Sequence, residues 1–300
     1  MLVIFDNDGM VRKQNLDEFY NCNYIKCRHL EDDAKFDFPD WETVGQMKDA
    51  SHSREWFNPD KFNITMLGSG SYHHFSLYIL EQRTKPFYLV MFDWHFDCGM
   101  SRWKWQRRLK KEIADSQGTD NPLISKFGGG NRYAFGGWVI ACAHLPMCKG
   151  ILLVGMGGSK WEEKAAIGPN GKEEYGITVL PSADDYHLFG DKLKEVIPQD
   201  DDTEVYITVC KDVLNKYELE TDWNNGEMTE AELMSMLAQT KLHYGNRICG
   251  VDICGEKAKK GWRDDEAEFI HNNEVRHKLL NRKIIDLFGG QELYGKKSNI

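Results

Sequence analysis

The run Phe92-Asp93-Trp94-His95-Phe96-Asp97 places two carboxylates and an imidazole at alternate positions directly after an apolar stretch. Alternate side chains of an extended segment face the same way, so Asp93, His95 and Asp97 are expected to converge. Oxygen donors mixed with imidazole suit Mn(II), Zn(II) or Fe(II) better than Ca(II), which prefers oxygen alone. Two other segments could complete this half-site. Met66 to Phe75 ends an apolar run in a Gly-Ser-Gly turn and then presents His73 and His74, one of which is expected to reach a metal. Val205 to Leu214 closes on Cys210-Lys211-Asp212, where alternation puts Cys210 and Asp212 on one face. A thiolate beside a cation is a competent zinc ligand. The candidate metal ligands are therefore His73, His74, Asp93, His95, Asp97, Cys210 and Asp212.

Something must hold these tips together. Apolar or β-branched runs recur at Leu2 to Phe5, Asn63 to Leu67, Phe87 to Phe92, Ile151 to Val154, Ile177 to Leu180, Val205 to Val209 and Ile248 to Val251. Helical patterns separate them, which predicts strands joined by crossover helices and hence a mostly parallel sheet. Ligands of such sheets bind beyond the carboxyl ends of the strands, where the polar residues above fall. Residues 101–131, containing WKWQRRLKKE and SKFGGGN, read as a helix and glycine loop that could form a lid over the site.

Composition narrows the function classes. A chain of 300 residues with 41% apolar and 12% aromatic content suffices for one large α/β domain spanning 1–300. A net charge of -9 argues against a general nucleic-acid binder. The N-terminus lacks the pattern of a signal peptide and no stretch is long enough to span a bilayer, so a cytoplasmic protein with no membrane partner is expected. The eight cysteines lack zinc-ribbon spacing and read as reduced thiols, several of them in the core.

The order of these motifs, a glycine turn with His, then Asp-x-His-x-Asp, then a strand ending in an acid, then Gly250-Val251-Asp252-Ile253-Cys254-Gly255-Glu256, resembles the ureohydrolase superfamily of arginase, agmatinase and formiminoglutamase, with histone deacetylases as distant relatives. The resemblance spans roughly residues 60 to 260. It implies a three-layer α/β/α sandwich with a mostly parallel sheet and two Mn(II) ions. The implied ligands are His73 or His74, Asp93, His95, Asp97 and Asp212. It also implies hydrolysis of a non-peptide C–N bond (guanidino, formimino or amide) in a small molecule, with homo-oligomers possible. Asp97, His95 and Glu256 are then the candidate catalytic residues.

The chain departs from the pattern in three places. Cys210 stands where arginases have the carboxylate that bridges the metals, so a single Zn(II) centre is an alternative to one or two Mn(II). Tyr133 to Trp138 lacks the proton-shuttling His, and His144 on the following helix reaches the site only if that helix is short or bent. The glutamate that reads guanidinium falls at Gly255 by spacing, with Glu256 one position late, which disfavours arginine as substrate. A catalytically degenerate metal- or ligand-binding protein is therefore the competing reading. Two others carry less. Phe5-Asp6-Asn7-Asp8-Gly9 resembles the nucleophile motif of haloacid-dehalogenase phosphatases, using Asp6 and Asp8, but no ordered set of partner residues follows. Trp103 and Trp105 among Arg107, Arg108, Lys110 and Lys111 read as helix packing rather than a nucleic-acid platform.

Overall fold

Phe87-Tyr88-Leu89-Val90-Met91-Phe92 is apolar throughout, as expected of a strand covered on both faces. The computed structural model describes residues 1–26, 58, 61–98, 137–157, 175–180, 183–199, 201–257, 267–290 and 293–294. In it this run is strand β4 (Phe87–Phe92). The other strands are β1 (Leu2–Asp6), β2 (Cys22–Lys26), β3 (Asn63–Ser69), β5 (Cys148–Val154), β6 (Ile177–Leu180), β7 (Glu204–Cys210) and β8 (Ile248–Glu256). They form one sheet in the order β2-β1-β3-β8-β7-β4-β5-β6, and every pairing is parallel.

Alternation sorts the side chains onto two faces. Leu89 and Met91 join Leu77 and Tyr78 of helix α1 (Phe75–Leu80) and Trp138 and Val139 of α2 (Trp138–Ala143) in one apolar layer. Val90 and Phe92 point the other way. They meet Phe189 and Leu193 of α3 (Phe189–Val196), Leu233 and Leu237 of α4 (Glu230–Tyr244) and Leu280 and Ile284 of α5 (Ala267–Phe288). The expected α/β/α sandwich follows from this two-sided burial. Thr229 opens α4 by accepting from the Glu232 amide, while Glu232 bonds back to the Thr229 amide. Such a reciprocal cap is worth about 1 kcal/mol.

All seven expected strands form. The eighth, β2, escapes the sequence reading because it lies at the sheet edge, pairs only with β1, and leaves Cys22, Asn23 and Tyr24 half-buried. The candidate lid at 101–131, with Trp103, Trp105 and the basic cluster, lies outside the described residues. So do Tyr133 to Gly136. No helix among the described residues is long and apolar enough to cross a membrane.

The four motif-bearing strands, β3, β8, β7 and β4, are consecutive in the sheet although dispersed in the chain. Their carboxyl ends therefore open side by side. Leu89 is fully buried on β4, so Leu89→Ala should cost about 2–5 kcal/mol. That loss would appear as a lower urea midpoint at unchanged slope.

Candidate metal centre

Strand β4 stops at Phe92, so extended alternation is not what brings Asp93, His95 and Asp97 together. The segment is a turn. Asp93 Oδ1 accepts the His95 amide at 2.6 Å, and Asp97 adopts φ 45°, a left-handed conformation that Asp tolerates better than bulkier residues. The indole of Trp94 lies where side chains on Gly157 and Gly226 would be: a Cβ there would come within 2.1 and 2.9 Å of ring atoms. Asp97 is held from outside the turn, Oδ2 accepting from Trp138 Nε1 at 2.8 Å and its carbonyl from the Val139 amide at 3.2 Å.

The end of β7 departs from alternation in the same way. Cys210 is the last strand residue, and Lys211–Val213 form a 3-10 turn that swings Asp212 toward the β4 loop. Asp212 Oδ2 lies 3.0 Å from His95 Nδ1, and its Oδ1 accepts the Trp94 amide at 3.3 Å. From the β3 side, a 3-10 turn at Gly70–Tyr72 delivers His73. Its Nδ1 is 2.7 Å from Asp93 Oδ2 and 3.4 Å from Asp97 Oδ2, yet forms no well-directed hydrogen bond. Its Nε2 lies 2.7 Å from the Thr208 hydroxyl, which in turn donates to Asp252.

Three donor groups result, each with ligand atoms within 4.8 Å of one another: His73, Asp93 and Asp97; Asp93, His95 and Asp212; and His73, Cys210 and Cys254. Asp93 belongs to both carboxylate groups. Burial opposes ionisation of all three aspartates. Burial and then the Asp93 charge lift Asp97 to about 6 and Asp212 to about 7. Asp93 is held below the usual carboxylate range, because the His73 and His95 imidazoles beside its two oxygens outweigh its burial. Burial would depress His95, but Asp212 and Asp93 raise it to about 11. The Cys210 thiol is pushed up by burial, with Cys254 and Asp212 adding to the effect. His95, with 35% of its side chain exposed, marks the open side of an otherwise buried cluster.

No protein-family model matches this sequence. A Thermotoga maritima protein described only as uncharacterized is 24% identical over 243 residues, covering 81% of this chain and 78% of that protein. Among solved structures, the Helicobacter pylori arginase superposes with a TM-score of 0.60 at 12% identity, over 96% of this chain and 99% of that one. The Streptomyces clavuligerus proclavaminate amidino hydrolase gives 0.57 at 14% identity over 94% and 91%. The Bacillus subtilis formimidoylglutamase gives 0.56 at 14% identity over 96% and 87%. The chain has the arginase fold. At the level of fold, the ureohydrolase resemblance carried by the motifs is met.

Within this arginase fold the candidates separate into those the structure gathers and those it does not. His73, Asp93, His95, Asp97, Cys210 and Asp212 surround the carboxyl ends of β3, β4 and β7. His74 does not join them. It caps α1 fully buried against the rings of Phe75 and Tyr78, and burial with the neighbouring His73 charge lowers it to about 3. Glu256 is also elsewhere. Gly255, at φ 93°, brings the β8 backbone so close to Lys211 that a Cβ would meet its amide at 2.6 Å, and Glu256 then turns away from the cluster. There it accepts from Lys211, from Asn281 at 2.7 Å and from Gln14 at 2.9 Å, with His277 Nδ1 at 3.2 Å. His144 ends the short α2, but Nδ1 bonds back to the Ile140 carbonyl at 2.8 Å beside Tyr175, at the amino edge of the sheet. Asp8 is occupied by the amides of Met10 at 3.0 Å and Ser69 at 2.8 Å, which ties β1 to the end of β3.

Three residues escaped the sequence reading of the site. Thr208 and Cys254 sit on strands already recognised, one pleat from Cys210 and Asp252 respectively, and period-two alternation could have found them. Trp138 carried no signal, being 41 residues from Asp97 in an apolar helix.

The Glu256 network makes a pH prediction. Burial raises the carboxyl, but Lys211 and His277 more than offset this and hold it below its ordinary 4.5. Its stabilisation is thus fully present above about pH 4.5 and fades as pH falls toward the depressed folded value. Glu256→Gln should therefore cost roughly 3–5 kcal/mol at pH 7 in urea unfolding. The gap from the unsubstituted protein should narrow below pH 4.5; a gap independent of pH would contradict the charged assignment.

Proposed function

We propose that the chain is a metal-dependent hydrolase of a non-peptide C–N bond (guanidino, formimino or amide) in a small molecule. The observation that supports this most is Asp93, whose two oxygens serve both carboxylate groups, so that neighbouring cations could share it. The donor set fits such cations. Among the described residues, the salt-bridge partners of Asp93, Asp97 and Asp212 are His73 and His95 alone, and no lysine or arginine offsets their charge. The buried His73 Nδ1, lacking a directed hydrogen bond, presents a further donor.

His73, Asp93 and Asp97 would hold one ion and Asp93, His95 and Asp212 another, with Cys210 close to His73, as one or two Mn(II) or a single Zn(II). When bound, such ions supply Lewis acidity and activate water for hydrolysis. The chain's own groups do the positioning. Trp138 fixes the free rotation of Asp97, Thr208 fixes the His73 ring, and the Trp94 amide orients Asp212. His95, at the exposed rim, is the imidazole nearest an entering substrate. Glu256, engaged by Lys211 and His277, is not free to read a guanidinium, which disfavours arginine itself. The solved structures that share the fold, an arginase, an amidino hydrolase and a formimidoylglutamase, support the substrate class. Buried unpaired thiols suit the reducing cytoplasm.

The competing reading, a metal or ligand binder without turnover, draws on Cys210 replacing a carboxylate and on the displaced Glu256. A screen of the metal-loaded protein against guanidino, formimino and N-acyl compounds separates the two, since uniform inactivity favours the binder. Asp93→Ala should abolish metal retention, read by elemental analysis after gel filtration; full occupancy in that variant would remove the basis of the proposal. Cys210→Asp should raise Mn(II) affinity about tenfold or more, because an oxygen donor matches that ion better. Weaker or unchanged uptake on titration would count against Cys210 facing the metal.

A further inference from the structure

Two of the three donor groups have no residue in common. His73, Cys210 and Cys254 form one, with two sulfurs and an imidazole, while Asp93, His95 and Asp212 form the other, with two carboxylates and an imidazole. Neither set draws its three donors from the other, and their chemistries differ. Thiolates select Zn(II) and other thiophilic ions, whereas a carboxylate-rich set accommodates Mn(II) or Mg(II).

The sulfur pair is built into the sheet. Cys210 ends β7 and stands in register with Cys254 on β8, so adjacent parallel strands present them side by side. Both are essentially inaccessible, at 1% and 0% exposure, as is His73 at 1%. Apolar packing alone does not account for the arrangement. Both belong to the buried apolar layer, yet each sulfur also lies within 4.8 Å of a His73 ring nitrogen, and the Cys210 sulfur lies only 3.5 Å from where a Gly70 side chain would begin. His73 also holds the junction to the harder group: its Nδ1 is 2.7 Å from Asp93, so that carboxylate is at hand for the fourth position a tetrahedral ion requires.

We propose that the centre is a mixed-metal pair, with a thiophilic divalent ion such as Zn(II) on His73, Cys210 and Cys254, and a harder ion such as Mn(II) on Asp93, His95 and Asp212. This rests on the metal reading above and deepens it, because it makes Cys254 a ligand and assigns each position its own class of ion. The replacement of a bridging carboxylate by Cys210 then changes the metal preference of one position while leaving its neighbour intact.

The test uses the full chain, kept reduced and free of oxygen. Zn(II), Co(II) and Mn(II) are added singly and in pairs, and stoichiometry is read by elemental analysis. The expected result is one Zn(II) and one Mn(II) bound together, and a thiolate-to-cobalt charge-transfer absorption when Co(II) replaces Zn(II). Cys254→Ser should weaken Zn(II) binding more than about a hundredfold, beyond the range seen for residues that only support a ligand. It should also diminish the cobalt band while retaining one Mn(II), which shows the variant is folded. Cys249→Ser, a buried thiol outside the cluster, should leave both unchanged. Undiminished Zn(II) affinity and cobalt absorption in Cys254→Ser would overturn the assignment of Cys254 alone. Two Mn(II) that exclude Zn(II) would overturn the mixed pair but leave the hydrolase reading standing, and failure of the unsubstituted protein to bind any of the ions would overturn both.

Discussion

Two buried aspartates and a third that is nearly so, facing two imidazoles, are the constraint on which the centre depends. Burial opposes their ionisation and the Asp93 charge adds to the effect, so Asp97 and Asp212 pass to higher pKa. Asp93 remains the strong acid because His73 and His95 flank it from opposite sides. The negative charge these imidazoles face is charge that a divalent ion would offset more compactly. The same geometry thus accounts for the perturbed titration and for the case for a metal.

What supports the cluster is mostly backbone. Trp94 packed onto two glycines, the Asp93 oxygen on the His95 amide, and the 3-10 turn through Lys211 set the carboxylates before any ligand arrives. The polar residues beneath them complete the hold. Thr208 between His73 and Asp252 fixes one ring, and Trp138 fixes one carboxylate from a helix distant in sequence. Preorganisation of this kind lets a site bind without first paying to order its own ligands.

Much of this was legible in the chain because strand burial is two-sided and leaves continuous apolar runs. The β4 sequence could hardly be anything else, and the acids after it were legible as a site. The geometry of those acids was not. Extended alternation and an Asx-like turn both bring Asp93, His95 and Asp97 near one another, and only the observed amide contact separates them. His73 and His74 could not be told apart for a similar reason: successive residues of a helical turn point about 100° apart, and the sequence does not say which faces the sheet end. Glu256 was misplaced because a single left-handed glycine exchanged its side chain's direction, a local effect with no signature in polarity or spacing. The edge strand β2 was hidden by its own half-burial.

The donors come from β3, β4, β7 and the end of β8, which are neighbours in the sheet but separated in the chain by up to the span from His73 to Cys254. No local fragment can assemble them. An ion that recognises this set binds only the completed sheet, so occupancy and folding become a single linked equilibrium, and each tenfold rise in free ion above its dissociation constant adds about 1.4 kcal/mol to the native state. The metal supply of the cell would then set how durable this molecule is as well as what it can do.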